Sequence, residues 1–226
     1  VPRENIDASL GPRKSRKIYD SLSRVYGYLT FYEGGAKKRG LEVAGIQPHE
    51  NVLEVGFGTG HALIEIARIV DVKGNAFGID LSGKMAKQAE RLLARSGTSR
   101  NASIAIADSR RLPFKDNYFD IVFSSYMLDL MSNDGIASAL SELERVLRVG
   151  GRIVLVNLSK GEKWHSDMRL YEWFYRRSPS ILGGCRPLLM EHLLKDSGFI
   201  NVHREFLLAG HVMPSEISYG EKTHKN

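Results

Sequence analysis

The run Val52-Leu53-Glu54-Val55-Gly56-Phe57-Gly58-Thr59-Gly60 constrains what this chain can fold into more than any other stretch. An apolar, β-branched segment carrying one carboxylate stops at three alternating glycines, and Ala62-Leu63-Ile64-Glu65-Ile66-Ala67 restarts at helical spacing. Strand, turn and helix follow one another. Such a turn takes φ > 0, and a ligand can approach the backbone closely only where no Cβ intervenes, so glycine suits it twice over. The unit predicts a nucleotide-type site.

The chain then repeats the alternation. Asn75-Ala76-Phe77-Gly78-Ile79-Asp80 reads as a strand ending in an acid, and Ser82 as the cap of a helix carrying Met85, Ala89, Leu92 and Leu93. Residues 103–107 give a third strand before Asp108, and residues 120–124 a fourth. A helix over about 134–147 ends at Val149-Gly150-Gly151, and residues 152–157 form the fifth strand. Strands alternating with helices require a parallel sheet covered on both faces, with its ligand crevice at the carboxyl ends of the strands. Residues 186–195 read as a helix closed by Gly198-Phe199. Residues 200–208 and 213–219 read as strands joined by a turn near Gly210 and Pro214, too close in sequence to be other than antiparallel neighbours.

Ahead of the glycine run, Ile18, Leu22, Val25, Tyr26 and Leu29 recur at helical spacing with a basic opposite face. Residues 32–44 predict a second helix, interrupted at Gly34-Gly35. We divide the chain into an amino-terminal arm and helical flap over 1–45 and a binding domain over 46–226. The latter carries an insertion at about 159–184 rich in aromatic residues, Trp164, Tyr171, Trp173, Phe174 and Tyr175.

Composition sets outer limits. The 226 residues, 42% hydrophobic, suffice for one domain with a sizeable core. No apolar run approaches the roughly 20 residues of a membrane span and the first residues resemble no signal peptide, so the expected location is cytoplasmic. A single cysteine, Cys185, excludes an internal disulfide framework and any multi-cysteine metal site. The net charge of +6 permits anionic partners without choosing among them. Arg13, Lys14, Arg16, Lys17 and Arg24, followed by Lys37, Lys38 and Arg39, read either as a solvated helix face or as a peripheral membrane contact.

The dinucleotide fingerprint G-x-G-x-x-G would need glycine where His61 stands, which disfavours an NAD site. With Glu54 the string is E-x-G-x-G-x-G, and here the sequence resembles the class I S-adenosylmethionine-dependent methyltransferases, from about Tyr19 to Tyr219. Four further motifs stand in the family's order. They are Gly78-Ile79-Asp80-Leu81-Ser82, Asp108-Ser109 followed by Phe119-Asp120, and Leu147-Arg148-Val149-Gly150-Gly151-Arg152.

The resemblance implies a Rossmann-like, doubly wound α/β domain with a seven-stranded sheet whose last strand is antiparallel. It implies S-adenosyl-L-methionine as cofactor and S-adenosyl-L-homocysteine as product, with no metal. Asp80 would take the ribose hydroxyls, Asp108 and Ser109 the adenine, and Glu54 would sit beneath the methionine amino group. Gly56, Phe57, Gly58, Thr59, Gly60, Leu81, Met85 and Ser124 would complete the cofactor site. Tyr19-Asp20 with Tyr26 seven residues later resembles the subgroup of ubiquinone/menaquinone-biosynthesis C-methyltransferases and bacterial phospholipid N-methyltransferases, in which this segment closes over the cofactor.

The resemblance is incomplete after the fourth strand. Ser124-Ser125-Tyr126-Met127-Leu128-Asp129-Leu130 replaces the quinone enzymes' Gly-x-Arg-Asn-like segment, and it contains no Asn/Asp-Pro-Pro-Tyr box of nucleic-acid amino methylation. The expected acceptor is therefore small or lipid-like and not a nucleic acid. A phospholipid headgroup is one alternative; a regulatory or scaffold protein that binds the cofactor without turnover is another. If the acceptor is a phenol, enol or hydroxyl, a general base helps, and Tyr126, Asp129 and His165 are the candidates. The sequence leaves the oligomeric state open.

Overall fold

The computed structural model describes residue 5, residues 26–160, residue 173, and residues 185–209 and 213–224, with side chains described from residue 34 in the first helix. Seven strands form one sheet in the order β3-β2-β1-β4-β5-β7-β6. They are β1 (Asn51–Val55), β2 (Asn75–Asp80), β3 (Ala102–Ile106), β4 (Phe119–Ser125), β5 (Leu147–Leu158), β6 (Phe199–Ala209) and β7 (Met213–Lys222). Pairings among β1 to β5 are parallel, whereas β7 runs antiparallel to both β5 and β6. The expected architecture is observed. Because the chain moves outward from β1 in both directions, a crevice opens at the carboxyl ends of β1 and β4.

Four consecutive buried residues on β1 show why its sequence is apolar throughout. Val52 joins a core under α1 (Tyr26–Ala44) and α2 (His61–Val70). Leu53 and Val55 join a second core on the opposite face with α4 (Asn133–Val146) and with Leu188, Met190 and Leu194. In that second core Phe119 is fully buried and meets Phe77, Phe114 and Tyr118 edge-on, with centroids 4.9–5.5 Å apart. Its neighbour Asp120 accepts from the Asn51 N–H at 2.7 Å and from Arg148 Nε, so the Phe-Asp pair clamps the beginnings of three strands.

Three expectations need correction. The helix α1 runs unbroken through Gly34-Gly35. Both glycines face open space and impose only a propensity cost of about 1 kcal/mol each, while Ala36, Gly40 and Ala44 lie buried on the sheet and hold the helix there. At Gly40 the fit is tight, for a Cβ would stand 2.6 Å from Val156 Cγ2.

Residues 147–151 are not a simple turn before β5. The strand begins at once, Leu147 pairing with Phe119, then bulges before Arg152 resumes opposite Ile121. Finally, the helix expected over 186–195 is confined to α5 (Glu191–Asp196). Pro187 has no N–H to donate and biases Arg186 away from helix, and Leu188 instead bridges to Ser159.

Candidate functional site

The site is built on the turn between β1 and α2. The Gly56 N–H donates to Ile79 O at 2.8 Å, fastening the loop to β2, and the Gly60 N–H donates to Phe57 O at 2.8 Å. Gly60 has φ 87° and a Cβ there would stand 2.9 Å from that of Ala89, on α3 (Gly83–Ser96), so glycine is required by both conformation and space. Gly58 also has positive φ, 54°, but among the described residues nothing lies within 4 Å of where its Cβ would be. The backbone there is bare toward the crevice.

Asp80 ends β2 and holds this loop from the other side. Its Oδ2 accepts from the Gly58 N–H at 2.9 Å and its Oδ1 from the Ser82 N–H at 2.8 Å. A carboxylate carries about four acceptor sites on its two oxygens, which suits it to vicinal hydroxyls as well as backbone donors. Ser82 caps α3 by accepting from the Met85 N–H at 3.3 Å; Met85 is buried and Leu81 is half-buried beside it.

Glu54 is the electrostatic anomaly. Only 1% exposed in β1, it has a buried Oε2 with no hydrogen-bond partner. Burial, with Asp80 adding to it and Lys37 opposing, pushes its pKa up to about 8. A buried carboxyl oxygen left without a donor costs roughly 1–3 kcal/mol and fits a site completed by a cationic ligand.

The remaining residues divide. Asp108 lies two residues beyond β3, as expected, but Arg110 grips it with Nε at 2.9 Å and Nη2 at 2.5 Å, and this pairing holds its pKa below the usual range. Ser109 lies near the Met127 and Met131 sulfurs, and Ser124 Oγ donates to Val55 O at 2.8 Å, tying β4 to the end of β1. Tyr126 has φ 52°, is buried, and shares a 2.7 Å hydrogen bond between its hydroxyl and Ser215 Oγ. Asp129 is fully buried. Its Oδ2 accepts from the Leu158 N–H at 2.9 Å, and the Asn157 amide, turned to satisfy both its atoms, donates to Oδ1 at 2.9 Å. Both oxygens thus fasten the segment after β4 to the end of β5. Tyr19, His165, the Tyr26 side chain and nearly all of the 159–184 insertion lie outside the described residues, although Trp173 is described as half-exposed.

Two residues at this end are not among those the sequence assigns to the site. Lys37, on α1, stands with Nζ 5.8 Å from the centre of the Tyr126 ring and acts electrostatically on both Glu54 and His61. His61 opens α2, its Nδ1 2.9 Å from Thr59 Oγ1, and burial followed by Lys37 lowers its pKa. Lys37 sits in a segment with no motif, and only its place on a packed helix reveals it. His61 was visible as the residue displacing a glycine.

A glycine turn, a strand-end aspartate anchored by two N–H groups and a buried glutamate thus stand together at the carboxyl ends of β1 and β2 in a doubly wound domain. Residues 52–151 match a family described as a methyltransferase domain. The ubiquinone/menaquinone biosynthesis C-methyltransferase UbiE of Pseudomonas paraeruginosa is 28% identical over 162 residues, covering 70% of this chain and 62% of that protein. The chain therefore aligns with less than two thirds of that relative's length.

Among solved structures, the [4+2]-cyclase SpnF superposes with a TM-score of 0.72 at 20% identity, over 98% of this chain and 100% of the other. The Haemonchus contortus phospholethanolamine N-methyltransferase 2, in complex with phosphomonomethylethanolamine and S-adenosylhomocysteine, gives 0.71 at 15% identity, over 93% and 60%. The chain is similar to S-adenosylmethionine-dependent methyltransferases, those of ubiquinone/menaquinone biosynthesis among them. Among the described residues, no helix is long and apolar enough to cross a membrane, and no cluster of His, Cys, Asp or Glu is arranged to hold a metal ion.

Proposed function

We propose that this chain transfers a methyl group from S-adenosylmethionine to a small or lipid-like acceptor seated over the carboxyl ends of β1, β4 and β5. The observation that carries the reading is the Asp80 carboxylate at the end of β2, held by the Gly58 and Ser82 N–H groups beside a glycine turn that no described side chain fills. The residues fit the cofactor: Asp80 would hold its ribose, Leu81 and Met85 its adenosine side, and Glu54 its amino group. Asp108 would reach the adenine amino group only with the lone pairs that Arg110 leaves. When bound, the cofactor supplies an electrophilic methyl on a sulfonium.

The chain's own contribution is alignment and exclusion of water, since methyl transfer of this kind proceeds in line and positioning alone supplies several kcal/mol. The fastening of the Tyr126–Asp129 segment to β5 and β7 makes a fixed wall for that alignment. Tyr126 and Asp129 act as positioning residues here because their polar atoms already bind protein partners. We assign acceptor choice to the 1–45 flap and the 159–184 insertion. The similarity to quinone-biosynthesis methyltransferases supports an amphipathic acceptor; the similarity to an N-methyltransferase crystallised with phosphomonomethylethanolamine supports a phosphobase or headgroup as the alternative.

A reading of another class, cofactor binding without methyl transfer, is favoured by one observation. The [4+2]-cyclase SpnF matches this fold over its whole length. Radiolabelled S-adenosylmethionine incubated with the protein and fractionated extract separates the two: label in a lipid, quinone or polar-metabolite fraction supports transfer, whereas tight cofactor binding with label in none supports the second reading. Asp80→Ala is expected to weaken S-adenosylhomocysteine binding tenfold or more by calorimetry, because hydrogen bonds to a charged group contribute roughly 1.5–3 kcal/mol. Unchanged affinity would sink the ribose assignment.

A further inference from the structure

The two edges of the sheet are built differently. At β6 the strand bulges between Ile200 and His203, Asn201 has φ 49°, and Arg39 reaches from α1 to Glu205 with contacts of 2.8 and 3.0 Å. Bulges and charges of this kind keep an edge from pairing with another chain. The β3 edge has neither. Its residues, Ala102-Ser103-Ile104-Ala105-Ile106, hold an unbroken parallel register with β2 and include no proline and no charge. The Ala107 N–H donates to Asp80 O at 3.0 Å and Asn101 O accepts from the Ala76 N–H at 2.8 Å, so the odd-numbered residues turn their peptide groups toward β2. Ala102, Ile104 and Ile106 turn theirs outward. Among the described residues nothing pairs with that side, and Ile106 is 60% exposed.

An open row of peptide groups suits an added strand, and the charge around it selects the kind. Residues 83–111, from the start of α3 past the end of β3, contain seven lysines and arginines against two acids, Glu90 and Asp108, a net +5 of the chain's +6. Arg100 precedes the strand and Arg110 and Arg111 follow it, all three exposed. A second copy paired antiparallel with β3 would set Arg100 of each beside Arg110 and Arg111 of the other, and like charges placed opposite one another are destabilising. We propose that the β3 edge receives an extended segment of an acidic protein partner, which adds an eighth strand through main-chain hydrogen bonds to residues 102, 104 and 106 and sets carboxylates against the flanking arginines. Nucleic acid would answer the charge but would leave the alternating N–H and C=O groups unused. The partner would stand beside the segment of Asp108 and Ser109, though the pairing itself does not depend on the cofactor assigned above.

The test uses the full chain and a fluorescein-labelled peptide of alternating valine and glutamate, with a second peptide carrying lysine in place of glutamate as control. By anisotropy the acidic peptide is expected to bind, more weakly as salt rises, and the basic one not to bind. Ile106→Pro removes one outward N–H and no bond to β2, so it should leave the Tm little changed and weaken the acidic peptide about fivefold or more. Arg100→Glu with Arg111→Glu, on exposed side chains, should reverse the preference between the peptides. Amide exchange followed by NMR gives the second readout: residues 102, 104 and 106 gain protection with the acidic peptide, whereas 103, 105 and 107 are protected without it. Binding undiminished in Ile106→Pro, equal binding of both peptides, protection confined to other strands, or no binding at millimolar peptide overturns the proposal. A single-stranded RNA that displaces the peptide and binds Ile106→Pro as well as the unaltered protein would make the patch a nucleic-acid surface, and a dimer in sedimentation that Ile106→Pro dissociates would make the occupant a second copy. Either result also overturns it.

Discussion

The two ends of the crevice are held together in different ways. On the β1–β2 side every fixing contact is donated by a backbone N–H: Gly56 to Ile79, Gly60 to Phe57, Gly58 and Ser82 to Asp80, Met85 to Ser82. Toward β5 and β7 side-chain pairs join in, such as Tyr126 with Ser215 and Arg204 with Glu216, whose carboxylate is fully buried. Backbone geometry is what a fixed ligand such as a cofactor needs and what any chain with these glycines must adopt. A side-chain network can be rebuilt residue by residue, so the acceptor side is free to differ among proteins of one fold.

That contrast can be broken from either side, and the effects should fall in order. The largest is expected for Gly60→Val, which places a β-branched residue at φ 87° with its Cβ 2.9 Å from Ala89. Strain of roughly 1–3 kcal/mol at the backbone, and as much again from overpacking, should lower the Tm by several degrees and abolish S-adenosylhomocysteine binding. A variant that binds normally would show that the turn is not fixed by its glycines.

Glu54→Gln comes next and is best read as a function of pH. The folded chain holds the Glu54 proton up to about pH 8, while the unfolded chain releases it near the ordinary value of 4.5. The unfolded state therefore loses its proton first, so this residue makes stability fall as pH rises from about 4.5 to 8. Glutamine should remove that fall, making the variant the more stable form by a few kcal/mol at pH 9, as chemical denaturation would show. Ligand binding carries the opposite sign. A bound ammonium favours the carboxylate, so the unaltered protein should release close to one proton on binding S-adenosylhomocysteine at pH 7, and Glu54→Gln none. Calorimetry in buffers of different ionisation enthalpy measures this directly, and equal proton release by both would remove Glu54 from the site.

Tyr126→Phe should have a smaller effect, a loss of about 1 kcal/mol from the hydroxyl pair with Ser215, with cofactor affinity within twofold. A tenfold loss of cofactor affinity would show that the two ends are not separable. The smallest change is expected for Arg110→Ala. The pair with Asp108 is more than one third exposed on the arginine side, so solvent screening limits it to below about 1 kcal/mol of stability. The same variant frees Asp108, and tighter S-adenosylhomocysteine binding would show that the carboxylate serves the adenine end.

Reading the sequence recovered best what is encoded locally. The three glycines, Asp80 and the Ser82 cap stand where their spacing puts them, and so do the strands that alternate with helices. The misreadings share a cause, which is tertiary context outweighing a local signal. Gly34-Gly35 does not break α1 because Ala36, Gly40 and Ala44 anchor it to the sheet, and the 186–195 periodicity yields at Pro187. The use of Asp129 could not be read at all, for its partners Asn157 and Leu158 lie on another strand. The place of Lys37 over Tyr126 was hidden for the same reason.

The close approach at Gly40 has one more consequence. With no side chain of its own between helix and sheet, residue 40 acts as a register pin for α1, and the bearing of Lys37 is set by the three-residue interval between them. One residue inserted in that interval would swing the lysine by about 100° around the helix axis without disturbing the pin. The spacing from 37 to 40 is thus a measured length, and changes of chain length are tolerable on this helix only where they leave it intact.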